Sequence, residues 1–198
     1  MRRLPAGQRL FIRGDAPCGL YGVVEGMMRI SVVGENGKEA LLALVEPPNW
    51  FGEICLFDGQ PRTHDAYAEK PTVLLQVPMA ELHALLEAHP QYWRDFALLM
   101  SHKLRMAFSL LEEQALLPAA QRLARRLLLI AEGYGGVEVS RSELNLPQEQ
   151  LAAMLSLSRQ TTNHLLKELE ARGILRLSYS HIELLDIPGL RLAAQPVE

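Results

Sequence analysis

The run Leu146-Pro147-Gln148-Glu149-Gln150-Leu151-Ala152-Ala153-Met154-Leu155, followed by Ser156-Leu157 and then Ser158-Arg159-Gln160-Thr161-Thr162-Asn163-His164-Leu165-Leu166-Lys167-Glu168-Leu169-Glu170, decides the reading of this chain. Its first part has the apolar spacing of a short helix, and Ser156-Leu157 reads as a tight turn. The last part reads as a second helix, capped by Ser158 and stopped at Gly173. Such an arrangement is helix-turn-helix spacing. Leu151, Leu155, Leu157, Leu165, Leu166 and Leu169 supply packing between the helices, and Ala152 is small enough for a close crossing. Arg159, Gln160, Asn163, His164 and Lys167 are left on the outward side. Arginine pairs bidentately with guanine, glutamine or asparagine pairs with adenine, and Ser158, Thr161 or Lys167 can meet phosphates. The first turn of the second helix also offers backbone N–H groups to a phosphate. On residue types alone, the same side chains also suit an ordinary solvated helix face.

Downstream, residues 174–177 and 182–185 alternate like two strands around Ser178-Tyr179-Ser180-His181, which predicts a wing. Upstream, Pro118 suits the first turn of a helix over residues 119–132 that ends at Gly133-Tyr134-Gly135-Gly136. Before it, residues 90–117 contain no Gly and no Pro after Pro90, and their apolar positions recur at helical spacing. One stripe runs Trp93, Ala97, Met100, Leu104, Ala107, Leu111. A second runs Phe96, Leu99, Met106, Leu110, Leu117 and is interrupted by Lys103 and Glu113. A helix lying on one domain needs one such face. Two stripes predict a second partner, most economically another copy of the chain in a two-fold, coiled-coil-like seam. A helix buried inside one larger domain is the other solution.

From Leu10 to Val77 the pattern changes every few residues, punctuated by Gly, Pro, Asn and Asp. Strands are predicted at residues 9–12, 20–25, 27–33, 39–45, 63–69 and 72–78. A small barrel or jelly roll fits best. Within it, Phe51-Gly52-Glu53-Ile54-Cys55-Leu56-Phe57-Asp58-Gly59-Gln60-Pro61-Arg62-Thr63 holds the inventory of a nucleotide pocket. Gly52 allows close approach to the backbone, Glu53 can accept from a sugar hydroxyl, and Arg62 with Thr63 can hold a phosphate. Taken alone, the stretch reads more readily as a surface loop.

Composition sets the outer bounds. With 198 residues, 48% hydrophobic and 22% charged, the chain has room for two small domains and is not disordered or fibrous. The longest apolar runs fall far short of the ~18 residues of a membrane span, and no apolar segment follows the basic N-terminus, so a cytoplasmic location is expected. Cys18 and Cys55 are the only cysteines, and both are expected to be reduced packing residues. The formal charge of -3 divides into 11 basic against 14 acidic residues up to 117, and nine against nine beyond. Any DNA contact must therefore come from charge gathered on one face. The six histidines, His64, His83, His89, His102, His164 and His181, show neither His-x-His nor His-Glu-x-x-His spacing, so no metal site is expected. No nucleophile elbow, Walker loop or dinucleotide fingerprint occurs, and catalysis is not expected.

The pieces Gly14-Asp15, Leu20-Tyr21-Gly22-Val23, Glu25-Gly26, Gly37-Lys38-Glu39, Phe51-Gly52-Glu53 and Pro61-Arg62-Thr63 resemble the cyclic-nucleotide-binding domain of the CRP/FNR family of bacterial transcription regulators, over nearly all of residues 6–80. The run Ser158-Arg159-Gln160-Thr161-Thr162-Asn163, then Leu166-Lys167-Glu168-Leu169-Glu170-Ala171-Arg172-Gly173-Ile174-Leu175, resembles the family's DNA-reading element. The resemblance implies that Gly52, Glu53, Arg62 and Thr63 form a phosphate-binding cassette and that the long helix pairs two chains. Where cyclic-AMP-responsive members meet adenine with adjacent hydroxyl side chains, this chain has Ala107 and Phe108, and His64-Asp65-Ala66 is more polar than the family's usual segment after the cassette. A cyclic nucleotide is thus one candidate effector, with Phe108 stacking on its base. The alternative is an effector-independent regulator in which Phe108 occupies the site. At the reading positions this chain presents Arg159, Gln160 and His164 where the cyclic AMP receptor protein presents Arg, Glu and Arg.

The expected fold is α+β: a β jelly-roll sensor domain over residues 1–89, a dimerisation helix over 90–117, and a winged helix-turn-helix over 118–198. The expected function is a homodimeric, sequence-specific transcription regulator whose partners are double-stranded DNA and, if it activates, RNA polymerase. A ligand-binding protein that signals through protein contacts is the remaining alternative.

Overall fold

The computed structural model describes residues 1–37, 39–133 and 141–195, so Lys38 and the expected helix stop at residues 134–136 lie outside the described residues. The chain divides into two compact units, Met1–Phe108 and Ser109–Glu198.

In the first unit, short strands fold into two four-stranded antiparallel sheets. One has the order β1 (Arg2–Leu4), β8 (Thr72–Val77), β3 (Leu20–Glu25), β6 (Trp50–Phe51); the other has the order β2 (Arg9–Phe11), β7 (Asp65–Ala68), β4 (Met28–Val33), β5 (Glu39–Val45). Both sheets contribute to one core of Leu4, Phe11, Tyr21, Val23, Met28, Phe51, Ala66, Ala68 and Leu74. Burying an aliphatic or aromatic side chain of this kind contributes about 1.5–3 kcal/mol. A second cluster, Leu20, Leu56, Leu82 and Leu86 with Trp50, Val77 and Phe96 against it, seats α1 (Ile54–Asp58), α2 (Met79–Ala88) and the start of α3 (Tyr92–Leu116) on the strands. The six expected strands are present within a residue or two. Strands β1 and β6 were not expected, being too short to show alternation.

Helix α3 separates the two apolar stripes. Phe96, Leu99, Met106, Leu110 and Leu117 are half-buried, whereas Trp93, Ala97, Leu104, Ala107 and Leu111 are exposed, and Met100 is half-buried. Lys103 and Glu113, which read as interruptions, each carry an ion pair: Lys103 with Glu53 at 2.9 Å, and Glu113 with Arg125 at 3.5 Å.

In the second unit, α4 (Ala119–Ala131) buries Leu123, Ala124, Leu127 and Ala131. Pro118 sits just outside this helix, at its N-cap. Around it lie α5 (Gln148–Leu155), α6 (Arg159–Ala171), α7 (Ile187–Ala193) and a three-stranded sheet of order β10 (Leu175–Ser178), β11 (His181–Leu184), β9 (Glu143–Leu144). Leu151 and Leu155 of α5, and Leu166 and Leu169 of α6, are buried between them, while Leu157 and Leu165 are half-buried. The turn between α5 and α6 is made by Ser156 at φ 55°, a left-handed residue that caps α5.

Candidate nucleic-acid interface and sensor cassette

Helix α6 begins where the sequence places it, because Ser158 Oγ accepts a hydrogen bond from the Thr161 backbone N–H at 3.0 Å. The two adjacent threonines then divide. Thr162 is fully buried and donates its hydroxyl to the Ser158 carbonyl at 3.0 Å, while Thr161 is exposed with its hydroxyl 2.8 Å from Ser158 Oγ. Arg159, Gln160, His164 and Lys167 are exposed on the same half of the helix, and Asn163 is half-buried. All seven residues expected to face DNA thus lie at one helix N-terminus and its outward side. His164 carries a constraint invisible in the residue list: its Nε2 lies 3.2 Å from Glu168 Oε1, one turn on. The wing between β10 and β11 holds Tyr179 at its tip, 99% exposed, next to Ser180 at φ 54°. Sequence reading identified the turn but assigned Tyr179 no role; its signal was an aromatic residue at the apex of two alternating strands.

The cassette residues also converge, but on one another. Arg62 is 3% exposed and donates to the Gly52 carbonyl at 3.0 Å and to the Gly19 carbonyl at 2.5 Å, with its guanidinium 4.4 Å from the Phe11 ring centroid. Gly52 is required here. Its φ is +90°, and a Cβ on it would stand 2.7 Å from an Arg62 nitrogen. Glu53, likewise 3% exposed, accepts from Lys103 Nζ, which also donates to the Trp50 carbonyl at 2.7 Å. Glu53 Oε2 is buried with no partner among the described residues. Thr63 is exposed, and its hydroxyl lies 2.9 Å from His64 Nδ1. Burial, and then the charge of Arg13, pull the His64 pKa down. The rings of Phe11, Tyr21 and Phe51 lie 5.5–6.2 Å apart in the core, with the Arg62 guanidinium over Phe11 and Tyr21. Phe108 does not enter that core. It is 61% exposed on α3, so the expectation that it plugs the β domain is not met by its own chain.

Lys103 is the cassette residue that sequence reading missed, since a lysine in an apolar stripe reads as a break. The signal was its position on the half-buried face of α3. Cys18 corrects a second expectation: Cys55 is buried, but Cys18 is exposed.

Residues 1–89 match the cyclic nucleotide-binding domain model, and residues 121–193 match the Crp-like helix-turn-helix domain model. The transcriptional regulator SdrP of Thermus thermophilus is 32% identical over 176 residues, covering 88% of this chain and 83% of that protein. The chain belongs to the CRP/FNR family of transcription regulators. The cyclic AMP receptor protein of the same organism is also 32% identical, over 92% of this chain and 82% of its own. The crystal structure of a CRP/FNR-family transcriptional regulator, also from Thermus thermophilus, superposes with a TM-score of 0.78 at 30% identity, covering 98% of this chain and 97% of that one. Like that CRP/FNR structure, the chain is a mixed helix and sheet protein with an N-terminal β domain, a long helix and a C-terminal helix-turn-helix. Among the described residues, no helix is long and apolar enough to cross a membrane.

Proposed function

We propose that two copies of this regulator pair through the exposed stripe of α3 and insert their α6 helices into successive major grooves of a two-fold DNA site, ~34 Å apart. The observation that carries this is the exposed outward face of α6, where Arg159, Gln160, Thr161, His164 and Lys167 stand clear of a buried Leu166 and Leu169. Arg159 and Gln160 read base edges, Asn163 and His164 lie one turn further along the groove, and Ser158, Thr161 and Lys167 meet phosphates. Such a protein works where its DNA is, in the cytoplasm, and as an activator it would touch RNA polymerase. Arg159→Ala is expected to lose about 1–3 kcal/mol, roughly 5- to 150-fold, on the matched site, measured by anisotropy at fixed salt, with relaxed preference at one base pair. An equal loss on scrambled DNA would make Arg159 a phosphate contact. Failure of the unaltered chain to retard any two-fold duplex selected from random sequence would favour the protein-contact signalling reading.

For the effector, the internal use of Arg62 and Glu53 favours a regulator whose DNA-binding form is populated without a nucleotide. A cyclic nucleotide would have to win Arg62 from two carbonyls and Glu53 from Lys103, and the relatives at equal identity carry names with and without cyclic AMP. Hydrogen bonds to charged groups contribute about 1.5–3 kcal/mol each, so this competition is substantial. Titration calorimetry with cyclic AMP, cyclic GMP and cyclic di-GMP is expected to show no heat, and DNA affinity is expected to be the same with and without each. Binding that is lost in Arg62→Ala, with a matching change in DNA affinity, would restore Gly52, Glu53, Arg62 and Thr63 as an effector cassette with Phe108 as a base-stacking residue.

A further inference from the structure

Cys18 is not among the residues of either site above, yet it touches the cassette's Arg62 and its surroundings are specific. Its sulfur is 3.0 Å from the Tyr21 hydroxyl and 3.6 Å from one terminal nitrogen of Arg62, whose other terminal nitrogen is 3.8 Å from the sulfur of Cys55. Two cysteines therefore flank one buried guanidinium, and Arg62 Nε has no partner among the described residues. Only Cys18 of the pair is exposed. A thiolate, which only accepts, answers two donors better than a neutral thiol does. Burial pushes the Cys18 thiol up, but the hydrogen bonds from Tyr21 and Arg62 and the guanidinium charge outweigh it and hold the thiol below its ordinary value. Tyr21, by burial and by that same hydrogen bond, is pushed up to about 12, so its hydroxyl keeps its proton and remains the donor.

We propose that Cys18 is an oxidation site, an exposed sulfur activated by Tyr21 and Arg62 that hydroperoxides convert to a sulfenic acid. The thiolate attacks one peroxide oxygen, the S–O bond forms as the O–O bond breaks, and hydroxide or alkoxide leaves and takes a proton from water. Sulfur is oxidised by two electrons and the peroxide reduced by two. The new oxygen is an acceptor beside the Arg62 nitrogen that holds the Gly19 carbonyl, so the modification acts on the side chain that ties Gly19 to Gly52.

The test uses the full chain, limiting hydrogen peroxide and dimedone, with peptide mass spectrometry, and N-ethylmaleimide alkylation across pH. Cys18 is expected to take the dimedone adduct at least about ten-fold faster than Cys55, and to alkylate with a midpoint below the ordinary ~8.5 of a free thiol. Tyr21→Phe keeps the ring in the core and is expected to raise that midpoint. A Cys18 midpoint at or above the free-thiol value, equal labelling of Cys55, or an unmoved midpoint in Tyr21→Phe would each overturn the assignment. Should Tyr21→Phe not fold, the comparison of Cys18 with Cys55 in the unaltered chain decides alone.

Discussion

A chain carrying Leu104→Glu and Leu111→Glu is expected to sediment as a monomer and to bind a two-fold operator about 10²- to 10⁴-fold more weakly, while its affinity for a single half-site stays unchanged. Both leucines are exposed on α3, 55% and 65%, so the substitutions disturb little within one chain. In a pair they would set carboxylates into an apolar seam, where unpaired charges are strongly disfavoured. The loss follows from separating two α6 helices that otherwise bind as one unit, since the second contact then no longer benefits from a high effective concentration. Sedimentation velocity, with anisotropy on full-site and half-site duplexes, checks it. A dimer that persists in this variant would show that Trp93, Ala97, Leu104, Ala107 and Leu111 are not the seam.

Leu166→Ala is expected to destabilise the second unit by about 2–5 kcal/mol, a large share of the total for a domain of this size. Leu166 is fully buried in a unit whose α5 also buries Leu151 and Leu155, and its truncation leaves a cavity in that core. Both tryptophans, Trp50 and Trp93, lie in the first unit. Urea unfolding followed by far-ultraviolet circular dichroism should therefore show an early transition, with the tryptophan-fluorescence midpoint unmoved. DNA affinity should fall in parallel with the unfolded fraction. A coincident shift of both probes would mean that the two units unfold together.

Much of the second unit was legible in the residues themselves. Ser158 caps α6, Gly173 with φ 72° ends it, and the leucines at helical spacing turn inward, because capping and amphipathic periodicity are local rules that tertiary packing here reinforces. The strands of the first unit followed from their turn residues for the same reason. The two apolar stripes of α3 were also legible, although not which of them its own chain would bury. The cassette was less so. Sequence could name Gly52, Glu53, Arg62 and Thr63, but not that Arg62 turns inward onto the Gly19 and Gly52 carbonyls, nor that Lys103, fifty residues on, reaches Glu53.

The order of helices, strands and turns, and the polar face of α6, were written in the chain, since each depends on side-chain spacing within a few residues. The partners of Arg62, Glu53 and Cys18 were decided only by the tertiary fold. Apart from Cys18 with Tyr21 and Arg62 with Cys55, those contacts join residues ten to fifty positions apart, and which donor meets which acceptor is set by how strands and helices close over a common core.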